Sequence, residues 1–199
     1  MLYRQFGEIK PEKVSYTEWP EAVVRHFINQ SGKGTLAPDL VLDQFNDTYV
    51  FESANGNRSF TASHTKSYGD GTVRLEEIIY LADSDKLGNL IGFSHVRFDS
   101  KNELPYWKNK PFVGNTETSK SSLRVGLGFR RLYLMNEMTS LVFGLSLHSD
   151  ISYHIKPDAQ RLWQRAIACG DAEDYMQGQF TRFKFLSTSE VGLELPNNI

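Results

Sequence analysis

Apolar residues alternate with polar ones in some stretches of this chain and recur every three or four positions in others, and each change of period marks an element boundary. Residues 2 to 6 predict a first strand. Ser15 with Glu18 forms a capping box, which predicts a helix through about Asn29 that buries Trp19, Val23, Phe27 and Ile28 and stops at Ser31-Gly32-Lys33-Gly34. Pro38 to Phe45 predicts a second short helix. Thr48 to Phe51 and Ser59 to Ser63 predict strands joined by Asn55-Gly56-Asn57, with a further turn at Tyr68-Gly69-Asp70-Gly71. Val73 to Ala82 and Leu90 to Phe98, linked by the polar run Asp83 to Asn89, form the clearest hairpin. A polar loop from Asp99 to Lys110, with Pro105, Tyr106 and Trp107 as its anchor, leads to a strand around Phe112 and Val113.

In the second half, Thr116, Thr118, Ser119, Lys120, Ser121 and Ser122 read as loop, and Leu132, Leu134, Met135 and Met138 then keep helical spacing. Between them lies Leu123-Arg124-Val125-Gly126-Leu127-Gly128-Phe129, two glycines at the entrance to an apolar helix. Leu141, Val142, Phe143, Leu145 and Leu147 predict a buried strand ending in His148, Ser149 and Asp150. Pro157 and Asp158 open a helix carrying Ala159, Leu162, Trp163, Ala166 and Ile167 on one face, and Gly170 closes it. Tyr175, Phe180, Phe183, Phe185 and Leu186 predict aromatic-rich strands, and the tail from Ser187 to Ile199 is polar with little periodicity.

The glycine turn is the candidate site. The first turn of a helix leaves amide N–H groups without intrahelical partners at the positive end of the dipole, so it attracts anions, and glycine lets a phosphate approach the main chain. The candidates are the backbone amides of Val125, Gly126, Leu127, Gly128 and Phe129, with Lys120 and Arg124 as supplementary cations. Two structural alternatives stand beside this: glycines that only close a turn or ease helix packing, and a basic loop that is merely solvated.

The succession of strand, glycine turn, helix, strand, helix and strand resembles the GNAT superfamily of acyl-CoA-dependent N-acyltransferases, over about residues 75 to 186. In that family an arginine or glutamine, two spacers, a glycine, one spacer and a glycine or alanine open the central helix, and their amides hold the pyrophosphate of coenzyme A. Gly126 and Gly128 fall on the two glycine positions, whereas Leu123 stands at the basic or amide position, with Arg124 beside it. Ala159, Leu162 and Trp163 match the spacing of the family's next helix, with Trp163 where a proton-donating tyrosine often stands. The pattern is similar also to small acetyltransferase-like proteins of bacteriophages.

The resemblance implies an α+β (α/β) fold: one domain over 1–199, with a mixed, mostly antiparallel sheet splayed around a central helix and flanked by others. It implies acetyl-CoA as cosubstrate and transfer of an acetyl or other acyl group to an amine by direct attack. Glu117, near the proposed thioester, is a candidate base, as are Glu76 and Glu77 on a neighbouring strand. His148 and Ser149, at the end of the strand after the central helix, are the other candidates, His148 as a proton carrier near neutral pH or as a hydrogen-bonded core residue. Leu123 and Trp163 favour an alternative, a non-catalytic protein of this fold whose cleft binds a protein or nucleic acid.

Composition narrows the classes. A chain of 199 residues with 40% hydrophobic and 13% aromatic residues can bury a sizeable core. A formal net charge of -2 predicts no general affinity for nucleic acid or anionic membrane. The single cysteine, Cys169, excludes an intramolecular disulfide, fits a reducing compartment, and reads as a packed residue at a helix end. No apolar stretch approaches the roughly 20 residues that span a bilayer, and the N-terminus lacks the apolar core of a secretion signal, so the expectation is cytoplasmic. The five histidines show no metal-ligand spacing, and neither a Gly-Lys-Ser/Thr phosphate loop nor a serine-hydrolase elbow occurs.

Overall fold

Two long antiparallel strands, each of 12 residues, set the architecture. The computed structural model describes residues 12–13, 15–30, 45–53, 56–69, 73–99, 108, 110–118, 126–150 and 155–186. In chain order the elements are β1 (Glu12–Lys13), α1 (Glu21–Gln30), β2 (Asn46–Glu52), β3 (Arg58–Gly69), β4 (Val73–Ser84), β5 (Leu90–Phe98), β6 (Phe112–Thr118), α2 (Leu127–Phe143), α3 (Pro157–Ala168), β7 (Ala172–Gln177) and β8 (Phe180–Phe185). Strands β1 to β6 form one antiparallel sheet in sequence order, and β7 and β8 form a hairpin. The fold is therefore mixed α+β, with a mostly antiparallel sheet and helices on both faces.

Period-two alternation along β4 explains the layering. Ile78, Tyr80 and Ala82 join Trp19, Val23, Phe27, Phe45 and Phe60 in a core under α1. Ile79 and Leu81 face the other way and join Phe129, Leu132, Leu134, Met135, Met138, Trp163 and Phe183 under α2 and α3. α2 is buried on most of its circumference and so shows no single apolar stripe. Tyr133 on α2 donates its hydroxyl to Asp171 Oδ2 at 2.7 Å, tying the helix to the turn after α3.

The segment Leu147–Ser149 joins the two sheets. His148 N donates to Pro111 O at 2.8 Å and Val113 N to His148 O at 3.0 Å, a short parallel pairing with the start of β6. On its other side Ser149 N donates to Phe183 O at 2.8 Å and Phe185 N to Leu147 O at 3.0 Å. The order across the joined sheet is thus β5, β6, Leu147–Ser149, β8, β7. β6 bulges where Ser94 opposes Thr116 and Val96 opposes Val113, so it carries one extra residue. Past Val113 the described pairing of β6 is with β5 alone.

Several expectations are corrected. The helix expected from Ser15 begins at Glu21: Tyr16–Glu18 form one 3-10 turn, and Pro20, which has no N–H, forces a restart with its carbonyl accepting from Val23 and Val24. Thr116 to Thr118 belong to β6 rather than to a loop. Leu141 to Phe143 are the last turn of α2, not a strand; an apolar run this short suits either element, and Gly144 at φ 66° ends the helix. Cys169 is exposed, because it follows the last turn of α3 beyond the packed face. The expectations for residues 2 to 6, Pro38 to Gln44, most of the Asp99–Lys110 loop, Ser119–Val125 and the tail from Ser187 lie outside the described residues.

Candidate functional site

Gly126 adopts φ 73° and ψ 8°, a left-handed conformation that costs other residues about 1 kcal/mol or more, and so it turns the chain into α2. It is exposed, and a Cβ there would meet nothing within 4 Å. No side chain caps the helix, and Gly126 O accepts from Phe129 N and Arg130 N, both at 3.1 Å. Phe129's amide is therefore engaged inside the turn, which leaves those of Leu127 and Gly128 without an acceptor among the described residues. Gly128 has a packing role as well: a Cβ there would stand 3.3 Å from Leu162 on α3. Arg124 and Val125 lie outside the described residues.

The ground beneath this turn is charged. Arg131, 1% exposed, donates through Nε to Asp83 Oδ2 at 2.7 Å and through Nη1 to the carbonyls of Phe93 at 3.1 Å and Glu117 at 2.7 Å. Gly92 makes this possible, because a Cβ there would fall on the guanidinium. Arg130 donates to Ser59 Oγ at 2.8 Å and Phe51 O at 3.3 Å, while Ser59 Oγ donates to Asp83 Oδ1 at 2.6 Å. In this network Asp83 holds Arg131 directly and Arg130 through the Ser59 hydroxyl. Burial lowers the Arg130 pKa, with Asp83 opposing the shift and Arg131 adding to it. Arg165 of α3 lies over the Phe129 ring at 4.3 Å, adding an exposed cation beside the same turn. All of this is compatible with an anion at the head of α2.

Glu117 stands at the same end of the sheet. It is exposed and directly opposite Phe93, so both side chains share the α1 face. His26 of α1 packs on Phe93 with ring centroids 4.3 Å apart. Burial lowers the His26 pKa, and the negative charge of Glu117 pushes it back up, so the two groups feel each other.

His148 and Ser149 are elsewhere. His148 pairs with the first residue of β6, five residues before Glu117, which at about 3.3 Å per residue separates them by roughly 16 Å. Burial, then Arg182, Lys110 and Lys184, push His148 down to about 3, so it is neutral near pH 7 and a poor proton carrier. Its Nδ1 lies 2.9 Å from the Tyr175 hydroxyl. Ser149 Oγ donates to Asp150 O at 2.7 Å and accepts from Phe183 N at 2.9 Å, so it is spent on structure. Both residues take part in the sheet joint. Glu76 is likewise engaged, gripped by Arg97 at 2.6 and 2.9 Å.

Sequence reasoning missed His26, Arg130, Arg131 and Arg165. The available signal was Arg130-Arg131, adjacent charges in the otherwise apolar first half of the helix. Trp163 is 3% exposed and stacks on Phe183 at 5.9 Å, a core residue whose indole cannot protonate a thiolate.

No helix among the described residues is long and apolar enough to cross a membrane. No family profile and no curated protein matches the sequence. Among solved structures, the chain is similar to the "Putative GnaT-family acetyltransferase from Bordetella pertussis" at 14% identity and a TM-score of 0.36. That similarity covers 55% of this chain and 64% of the other, which is less than two thirds of the neighbour's length.

Proposed function

We propose that this protein transfers an acyl group, acetyl in the simplest case, from a coenzyme A thioester to an amine. The observation that carries the reading is the head of α2: an uncapped helix start, open at Gly126, set over two guanidiniums that Asp83 holds, one directly and one through the Ser59 hydroxyl. The amides of Leu127 and Gly128 would hold the pyrophosphate of the substrate, with Arg130, Arg131 and Arg165 supplying the field.

Glu117 and His26 fit the acceptor side. An amine must lose a proton to attack the thioester carbon, and Glu117 accepts it directly or through water. The nitrogen–carbon bond forms as the carbon–sulfur bond breaks, and the departing thiolate takes a proton from solvent. Positioning supplies much of the rate, which suits a site without a strong acid. The buried Trp163 favours a second reading, a non-catalytic protein that keeps the same cleft for a macromolecular partner.

The test is a thermal melt with acetyl-CoA followed by thiol release in the presence of a panel of amines. A ligand at 100 times its Kd stabilises the fold by about 2.7 kcal/mol. A shift with amine-dependent thiol release supports the transferase, and Glu117→Gln should then lower kcat while leaving the shift intact. A shift without turnover refutes catalysis while keeping the coenzyme site. No shift at millimolar acetyl-CoA refutes the transferase and favours the binding protein.

A further inference from the structure

The α1 face carries a second polar feature that acyl transfer does not use. Arg58 and Ser84 are direct partners across β3 and β4, and one step inward Phe60 partners Ala82, so all four side chains share that face. Trp19 lies against Phe60 with ring centroids 5.5 Å apart, and the Arg58 guanidinium lies 5.3 Å from the same ring. Pro20, next to Trp19, packs so close to the β4–β5 turn that a Cβ on Gly88 would stand 3.1 Å from it. Three polar atoms of this patch, Trp19 Nε1, Arg58 Nε and Ser84 Oγ, are buried without a hydrogen-bond partner. Trp19 is 6% exposed and Ser84 fully buried, while Arg58 reaches solvent.

Leaving such groups unpaired forfeits their solvation without return, so a partner is expected. Indole Nε1–H and guanidinium Nε–H only donate, and a serine hydroxyl can donate too. An oxyanion can accept from donors of all three kinds and answers the positive charge, whereas a water must also find acceptors for its own hydrogens. The neighbouring acids do not fill the role. Glu52 opposes Arg58 across β2 and β3, yet it is exposed and no ion pair joins them. Asp85 accepts from the amides of Leu87 and Asn89 in its own turn, and Asp83 points to the α2 face. The adjoining Lys86 is exposed and adds positive charge.

We infer that Trp19, Arg58 and Ser84 form a binding subsite for a small oxyanion, a carboxylate or a phosphate group. This is independent of coenzyme A, whose proposed site lies on the α2 face.

The test uses the intact protein labelled with 15N, following the three tryptophan indole resonances, with that of Trp19 assigned by Trp19→Phe. Sodium acetate and inorganic phosphate are titrated separately at constant ionic strength. The Trp19 resonance should move saturably while those of Trp107 and Trp163 stay in place. Saturation by both anions supports a general oxyanion subsite, and saturation by one alone assigns it to that chemistry. Arg58→Met keeps the stem on Phe60 and should weaken binding about tenfold or more, and Ser84→Ala by a smaller factor. The inference is overturned if neither anion gives a saturable shift at tens of millimolar. It is overturned equally if Arg58→Met leaves wild-type affinity unchanged, or if Glu52→Gln alone reproduces the shift, since Glu52 would then be the partner of Arg58.

Discussion

Two buried arginines hold this protein together, and they are supported in different ways. Arg131 sits under the head of α2 against Asp83, bracing β4, β5 and β6 from a single guanidinium. Arg182, fully buried at the sheet joint, donates through Nε to the Ser149 carbonyl at 3.1 Å and through Nη1 to Gln177 Oε1 at 3.0 Å. The first donates to a carboxylate, and the second donates to a main-chain carbonyl and an amide oxygen, with Tyr175 and Asp150 favouring its charge. The difference shows in what each does to its surroundings. Arg131 builds a firm platform under the proposed anion site, whereas the charge of Arg182, second only to burial, keeps His148 unprotonated.

The strongest way to break the contrast is Asp83→Ala, which leaves the Arg131 charge buried without its carboxylate. It should cost about 3–5 kcal/mol in urea denaturation, and adding Arg131→Met should recover part of that loss. A loss below about 1 kcal/mol would mean that the pair is not the platform. Gly92→Ala attacks the same platform from the sheet side by placing a methyl group against the guanidinium. It should destabilise by roughly 1–3 kcal/mol, and an effect no larger than that of a surface substitution would count against the packing described.

The joint is tested by pH. His148 ionises near 6.5 when unfolded and near 3 in the folded protein, so its neutral form favours folding. That contribution is complete above about pH 6.5 and declines as the pH falls toward 3, because only the unfolded chain takes up the proton. His148→Asn should flatten the stability profile in this window, and Arg182→Gln should raise the His148 pKa in an NMR titration. A His148 that titrates near 6.5 in the wild type would contradict the account. The smallest effect is at the turn: Gly126→Ala should cost about 1 kcal/mol and Gly126→Asn less, since asparagine tolerates positive φ. Equal stability of both variants and the wild type would argue against the left-handed turn.

Elements with both ends marked were legible in the sequence. α3 follows from Pro157, its one apolar stripe and Gly170, and the β4–β5 hairpin from two alternating runs around a polar turn. The end of α2 was not, because a helix buried on nearly all sides shows no period, and Leu141 to Phe143 then look like a strand. The glycine turn was found from sequence, but what lies beneath it was not. Charged side chains in a helix are expected in solvent, and only the tertiary contacts with Ser59, Asp83 and the Gly92 gap explain why Arg130 and Arg131 are inside. His26 and Glu117 are far apart in sequence, so nothing local joins them.

The central claim, that the head of α2 grips the diphosphate of coenzyme A, is tested most directly by calorimetric titration of coenzyme A into the wild type, Gly126→Asn and Gly126→Glu. The account predicts saturable binding to the wild type, retained affinity with asparagine, and loss of at least tenfold with glutamate, whose charge would face the phosphates. Absence of binding to the wild type, or equal affinity for all three proteins, would contradict it.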